Sequence, residues 1–234
     1  MEPSSILVVD DDREIVAAIT KHMEAEGYTV FQAYDGLQAL ELMMRETIHL
    51  VLLDIMMPNL DGLSATMKIR EKKNIPIILL SAKSEDSDKV LGLTMGADDY
   101  ITKPFSPAEL VARVRSQLRR YMQLGDFSGS RDTEQIVVGG LMLDLGAKLL
   151  YVDGEPIKLT ATEYKILKLL MQNPGRVFAA EEIYERVWEE DAYSVENTVM
   201  VHIRRIREKI EINPREPEYL KVVWGIGYKM EKHK

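Results

Sequence analysis

The chain has no cysteine among its 234 residues, which excludes disulfides, thiol chemistry and thiolate metal sites. No apolar run approaches the roughly 18 residues of a membrane span. No N-terminal stretch has the apolar core of a secretion signal. A Gly-rich loop of the GxxxxGKS/T kind is also missing, so direct nucleotide binding is not expected. Positive charge is in deficit, with 30 Lys and Arg against 38 Asp and Glu and a net charge of −8. Taken whole, that balance argues against nucleic acid. The deficit is uneven, however: residues 1–121 carry a net −5, residues 122–135 a net −2 and residues 136–234 only −1. Any basic patch in the last part must therefore be local. These absences predict a cytoplasmic protein of a reducing compartment, with no membrane contact and enough length for two ordinary domains.

What is present is a pattern that changes partway along. From residue 5 to 121, the short runs ILVV, YTVFQA, LVLLDI, IPIILLS and DYIT alternate with longer amphipathic segments. The runs are rich in Val, Ile and Leu, as in parallel strands buried on both faces. Ser106, Pro107 and Glu109 form a helix-start signal, and Gly27 stands where a first helix ends. Five such β-α units predict an α/β domain over 1–121, a five-stranded, parallel, doubly wound sheet of the flavodoxin-like kind. Residues 122–135, MQLGDFSGSRDTEQ, lose periodicity and gain Gly, Ser and charge, which predicts a flexible linker. Residues 136–234 read as a separate α+β domain: short strands with an Asp-Gly turn, three helices, and a closing hairpin around VVWGIGYKM.

In an open parallel sheet, ligands bind at the carboxyl ends of the strands. The expected ends carry Asp10 and Asp11, Asp54, Ser81 and Lys103. Asp10, Asp11 and Asp12 follow the apolar Ile6–Val9 directly, and like charges at the end of a core strand repel. Asp12 is accounted for as a helix cap. Asp10 and Asp11 require a cation, expected from outside the chain. Mg²⁺ takes hard oxygen ligands, usually a few carboxylates with phosphate oxygens and water. Three carboxylates, one hydroxyl and one ammonium at one edge suit a magnesium-assisted phosphate site. Asp54, alone at its strand end, is placed to attack phosphorus as a nucleophile, while the metal screens the phosphoryl oxygens. Lys103 and Ser81 are placed to hold phosphoryl oxygens.

VVDDD, LLDIMMP, LLSAK and GADDYITKPF stand in the order and spacing of one known family. The first half of the chain resembles the receiver domain of two-component response regulators. The resemblance implies that Asp54 is the phosphoacceptor and that Mg²⁺ is held by Asp10, Asp11, Asp54 and the Met56 carbonyl, with Asp11 the more direct ligand of the acidic pair. It implies that Ser81 and Tyr100 form a switch pair and that Lys103 contacts the phosphoryl group. Met56 and Lys83 fall at positions that tune dephosphorylation in the family. The implied phosphoryl donor is a sensor histidine kinase, and the chain itself is then not an enzyme.

In the second domain, Thr160 and Glu163 form a capping box, and the stripe Tyr164, Leu167, Leu170 and Met171 predicts core. A helix expected over 194–210 places Val199, Ile203, Ile206 and Ile210 on one face. The opposite face holds Asn197, Thr198, Val201, Arg204, Arg205 and Glu208, with His202, Arg207 and Lys209 at its flanks. A valine centred on an exposed polar face suits a thymine methyl in a major groove, beside arginines that reach guanine or phosphate. A charged face is as readily a solvated one, and composition does not decide between them. LTATEYKIL, NTVMVHIRRIREKI and VVWGIGYKM resemble the winged helix-turn-helix effector of the OmpR/PhoB-type subfamily, and several stretches are closer to its vancomycin-resistance regulator branch. The resemblance implies binding to double-stranded promoter DNA, with helix 194–210 in the major groove and the last hairpin as a wing near the minor groove. That adds Met200, Trp224 and Tyr228 to the contact set. Trp224 stands where the wing usually carries arginine, and Met200 where an acid is common, so base preference is expected to differ.

In this subfamily, phosphorylated receivers pair through the helix after the fourth strand, the fifth strand and the helix that follows it. Lys89, Asp98, Asp99, Glu109, Arg113, Arg115 and Arg119 place opposite signs at separated sites there and can self-complement across a two-fold axis. A homodimer on phosphorylation, bound to repeated half-sites, is expected. RNA polymerase is a further expected partner, through the acidic loop 189–194. Two other readings compete. A haloacid-dehalogenase-like magnesium phosphatase needs Asp-x-Asp followed by x-Thr or x-Val, but Asp12 is followed by Arg13 and Glu14. A phosphate-independent DNA-binding regulator is opposed by the intact acidic set.

Overall fold

The computed structural model describes residues 3–82, 92–125, 135–188 and 196–233. The chain divides into two compact units, Met1–Tyr121 and Met122–Lys234. Among the described residues, no helix is long and apolar enough to cross a membrane.

The first unit is built on β1 (Ser5–Val9), β2 (Thr29–Ala33), β3 (Leu50–Asp54), β4 (Ile77–Ser81) and β5 (Asp99–Thr102), with helices α1 (Arg13–Ala25), α2 (Gly36–Arg45), α3 (Gly62–Lys72) and α4 (Pro107–Gly125). The strands are parallel, in the order β2-β1-β3-β4-β5. Every residue of β3 and β4 is buried, as the unbroken apolar runs require once helices cover both faces. One face packs Ile6, Val8, Leu52 and Ile78 against Val16, Ile19, Leu110 and Val114. The strand order reverses at β1, which has β2 on one side and β3 on the other. The crevice therefore opens at the carboxyl ends of β1 and β3.

Local signals fix the helix starts. The Asp12 carboxylate accepts the Glu14 and Ile15 amides at 2.8 and 3.4 Å and caps α1. The Ser106 hydroxyl accepts the Glu109 amide at 3.1 Å at the start of α4. This last helix runs on to Gly125, so the first residues of the expected linker are helical, and Gln135 already belongs to a strand. Residues 126–134 lie outside the described residues.

The second unit has an antiparallel sheet of β6 (Gln135–Val138), β7 (Leu141–Asp144), β8 (Leu149–Val152) and β9 (Glu155–Ile157). It continues with α5 (Ala161–Met171), α6 (Ala180–Trp188) and α7 (Glu196–Ile210), and closes with the hairpin β10 (Leu220–Val223) and β11 (Gly227–Met230). Asp153 and Gly154 turn β8 into β9 with φ of 49° and 88°, the positive values that a two-residue hairpin loop needs. The capping box forms: the Thr160 amide donates to Glu163 Oε2 at 2.8 Å, and the Glu163 amide to the Thr160 hydroxyl at 3.4 Å. Tyr164, Leu167, Leu170 and Met171 are core, as are Val199, Ile203, Ile206 and Ile210.

Candidate functional site

The two central strand ends deliver Asp10, directly after β1, and Asp54, the last residue of β3. Both are buried, at 1% and 4% exposure. Lys103 follows β5, and its amide donates to the Ser81 carbonyl at 2.7 Å, which sets its backbone beside the end of β4. Its ammonium then donates to Asp10 Oδ2 and to Asp54 Oδ1, each at 2.6 Å. The cation that the aspartate cluster required is thus partly internal, supplied 93 residues downstream of Asp10. The remaining oxygens are held by backbone: Asp12 N–H donates to Asp10 Oδ1 at 3.0 Å and Met56 N–H to Asp54 Oδ2 at 2.7 Å. Burial pushes the Asp54 carboxyl above its ordinary range, and the Lys103 hydrogen bond and charge only partly oppose this. Burial alone would lower Lys103, but hydrogen bonds and charge from Asp10 and Asp54 reverse that and raise it, so it stays an ammonium.

The loop after β3 closes tightly over this edge. Gly62 N–H donates to the Ile55 carbonyl at 3.0 Å, and a Cβ on Gly62 would lie 2.1 Å from the Asp54 carbonyl oxygen. Asp61 caps α3 through the Ser64 amide at 2.8 Å. Asn59, with φ of 64°, donates from its side chain to Asp35 at 2.9 Å and ties this loop to the start of α2. Sequence reasoning passed over Asp35 and Asn59. The signal was available in the Asp-Gly pairs that open both α2 and α3, because an aspartate that caps a helix has a second oxygen free for a neighbouring loop.

Among the described residues, no group of three or more His, Asp or Glu side chains converges to hold a metal ion. Asp11 is exposed next to Asp10, and Met56 is 65% exposed next to Asp54. In donor chemistry the residues fit a divalent cation. Two buried carboxylates share one ammonium, which leaves excess negative charge, and all the nearby donors are hard oxygens. Ser81 is buried at the end of β4, one residue beyond Leu80, the register partner of Asp54. Tyr100 is half-buried on β5, opposite Leu79.

The expected pairing face is altered by burial. Asp98 and Asp99 are each 2% exposed and are engaged within their own protomer. Asp98 accepts from Arg70 at 2.5 Å and from the Ile77 amide at 3.0 Å. Asp99 takes the Arg113 guanidinium at 3.1 and 3.2 Å. Neither is the surface charge expected from the sequence, because a carboxylate at the start of a covered strand must find its partner inside. Glu109 is exposed and pairs with Arg113 at 3.2 Å, exposed Arg115 pairs with Glu26, and Arg119 is exposed. Lys83, Lys89 and the loop 189–194 lie outside the described residues.

On α7 the expected outer face also needs correction. Thr198, Val201, His202 and Arg205 are buried, at 3%, 2%, 0% and 8% exposure. The helix packs against both α5 and α6, so more than one side of it is covered. His202 lies against the Trp188 ring, with centroids 5.4 Å apart. Arg205 reaches Glu163 at 3.1 Å, and Lys209 reaches the same carboxylate at 2.6 Å. Val201 is therefore not the centre of an exposed face. The accessible stripe is Asn197, Met200, Arg204 and Glu208, with Arg207 half-buried and donating to the Leu220 carbonyl at 2.9 Å. Trp224 is 86% exposed at the hairpin tip, while Tyr228 is half-buried and exchanges backbone hydrogen bonds with Phe178.

Comparison with known proteins accounts for both units. Residues 6–115 match the response regulator receiver domain, and residues 154–230 match the C-terminal domain of transcriptional regulatory proteins. The chain is 43% identical to the regulatory protein VanRc of Enterococcus gallinarum over 97% of its length and 98% of the relative's. It is 44% identical to the regulatory protein VanR of Enterococcus faecium, with the same coverage of 97% and 98%. Among solved structures it is similar to the response regulator DrrB, described as a Thermotoga maritima OmpR/PhoB homolog, with 32% identity, a TM-score of 0.51 and coverage of 98% of this chain and 99% of that one.

Proposed function

Because the chain belongs to the OmpR/PhoB-type response regulators, in which a receiver is joined to a C-terminal transcriptional regulatory domain, we propose that phosphorylation of Asp54 by a partner sensor histidine kinase switches its binding to promoter DNA. The observation that carries this reading is the Lys103 ammonium shared by Asp10 and Asp54 at the sheet's switch point. An Asp54 carboxylate oxygen attacks the phosphorus of a phosphohistidine, the P–N bond breaks, the imidazole leaves, and an acyl phosphate remains on Asp54. Lys103 exchanges a carboxylate oxygen for a phosphoryl oxygen. Ser81, at the adjacent strand end, offers its hydroxyl to another, and Tyr100 moves with it as the switch partner. Asp10, Asp11, Asp54 and the Met56 carbonyl would hold Mg²⁺, which stabilises charge on the phosphoryl oxygens. The tight loop at Gly62 holds the Asp54 backbone in place throughout.

In the second unit, α7 enters the major groove through Asn197, Met200 and Arg204, with Arg207 at its edge and the hairpin residues Trp224 and Tyr228 beside it. Thr198, Val201, His202 and Arg205 shape this helix from inside and leave the contact set. Pairing of phosphorylated receivers through Glu109, Arg113, Arg115 and Arg119 sets two such helices on repeated half-sites and raises affinity by effective concentration. The protein acts in the cytoplasm, with RNA polymerase as the downstream partner.

The test is selection of bound duplexes from a random pool by the full chain, with and without magnesium and acetyl phosphate, using Asp54→Asn as control. Tighter binding and one added phosphate per chain by intact mass are expected in the wild type only. Equal binding in all samples, or no mass gain, would refute the switch.

A further inference from the structure

The chain has two tryptophans, and they stand in opposite environments. Trp188 is fully buried and stacks on Tyr184 at 4.7 Å. Trp224 is 86% exposed at the tip of the β10–β11 hairpin, with Ile226 beside it at 62% and Val222 below at 37%. Exposed apolar surface of this kind, gathered at one point, marks an interaction site.

The hairpin is anchored at its base and closed at its turn. Ile226 N–H closes the turn on the Val223 carbonyl at 3.0 Å. Phe178 and Tyr228 exchange both backbone hydrogen bonds at 2.9 Å, so the hairpin base is pinned to the segment before α6. Gly227 has φ of 153°, and a Cβ there would lie 2.0 Å from the Phe178 carbonyl oxygen, so only glycine permits this approach. Arg207 fastens the hairpin to α7 through Leu220. The hairpin that carries the indole is thus tied by its backbone to the helix that carries Met200 and Arg204.

The charge beside the tip says what kind of surface receives it. Lys221 and Lys229 are direct cross-strand partners. Like charges in that relation destabilise a hairpin, and Glu231, 2.9 Å from Lys229 and attracted by the charge of Lys221 as well, supplies one negative charge against the two. A lysine pair flanking an apolar tip complements a polyanion whose interior is apolar. An indole face has little to offer phosphate, but it fits the sugar walls of a minor groove and the space between base steps.

We propose that Trp224, backed by Ile226, enters the minor groove flanking α7 and wedges against a base step, so that this protein bends its DNA site there. The inference rests on the reading of α7 and the hairpin as the DNA-contacting elements. It adds a specificity mechanism, since flexible pyrimidine–purine steps would be favoured at a position where no base edge is read.

The probe is a 40-base-pair duplex carrying the most enriched site from the selection above, bound by the full-length protein. Because Trp188 is buried, acrylamide quenching of tryptophan emission reports Trp224. Shielding of that emission on binding is expected, with end-to-end energy transfer showing a bent duplex. Trp224→Ala should bind about tenfold more weakly, by the scale of base–aromatic contacts. It should lose the bend and keep the same salt dependence, because no phosphate contact is removed. Trp224→Phe should keep the bend, and Trp224→Arg should steepen the salt dependence without restoring it. Full-affinity binding with a quencher-accessible indole, or an unchanged bend in Trp224→Ala, overturns the proposal. So does shielding that rises with protein concentration in the absence of DNA, which would assign the tip to a second copy. Failure of the selection to enrich any site would instead remove the DNA-binding reading on which the proposal rests.

Discussion

Lys103 Nζ lies 2.6 Å from Asp54 Oδ1, and the same ammonium holds Asp10 at the same distance. One internal cation therefore neutralises part of a buried acidic pair, and truncating it leaves two carboxylates uncompensated. Lys103→Met should destabilise the receiver by about 3 kcal/mol in the presence of a chelator, the scale for removing one partner of a buried ion pair. Magnesium at about 100 times its dissociation constant should add about 2.7 kcal/mol to the stability of each protein, wild type and Lys103→Met alike. Calorimetry of the full chain with EDTA and with MgCl₂ measures both. No gain in stability from MgCl₂ in either protein would contradict a cation site formed by these carboxylates.

Gly62 touches the site through its lack of a side chain. With a Cβ placed 2.1 Å from the Asp54 carbonyl oxygen, the loop cannot close as it does, and backbone rather than a flexible side chain would have to move. Gly62→Ala should cost about 2–3 kcal/mol of receiver stability, as overpacking does. It should also slow acetyl phosphate labelling of Asp54 by tenfold or more, because the nucleophile's strand end shifts. Timed intact-mass measurements decide, and a labelling rate equal to that of the wild type would show that the loop does not position Asp54.

The difference between what the sequence revealed and what it hid lies in the range of each interaction. Asp12, Gly27, Thr160 with Glu163, and the Asp153-Gly154 turn are local devices, readable from a few neighbouring residues, and each is in place. The strand ends were readable too, because an unbroken Val, Ile and Leu run must lie between covering helices and its last polar residue must reach the edge. Pairings over long separations were not readable. Nothing near Asp98 announces Arg70, 28 residues away, and nothing near Arg205 announces Glu163. The face of α7 misled for the same reason. One apolar stripe was visible in its periodicity, but a helix packed on two neighbours buries a wider arc, which took in Thr198, Val201 and His202.

Arg113 grips Asp99 within the protomer, and Asp99 is otherwise held by the Tyr100 amide at 2.8 Å. This pair secures the start of β5. Arg113 is partly exposed, so the loss in Arg113→Ala should be about 2 kcal/mol rather than the full value for a buried pair. Hydrogen exchange at the β5 amides should accelerate roughly 30-fold, the equivalent of that energy. Unchanged exchange would mean that Asp99 does not depend on this arginine.

Glu163 joins the capping box of α5 to Arg205 and Lys209 on α7, and it is fully buried. Burial would raise its carboxyl, but the Arg205 and Lys209 charges, with the Lys209 and Thr160 hydrogen bonds, more than offset this and hold it below its ordinary value of 4.5. A carboxyl lowered in the folded state stabilises the fold fully above that ordinary value, and the contribution is lost as pH falls through the lower folded value. Glu163→Gln should therefore be less stable by about 3 kcal/mol near neutrality, where Arg205 loses its partner. Below pH 4.5 its stability should fall less steeply than the wild type's, by up to about 1.4 kcal/mol per pH unit, so that the two curves converge in acid. Both tryptophans lie in the second unit, so urea titrations followed by their emission report this unit. Parallel stability curves for the two proteins between pH 3 and 7 would show that Glu163 is not the ionised link between α5 and α7.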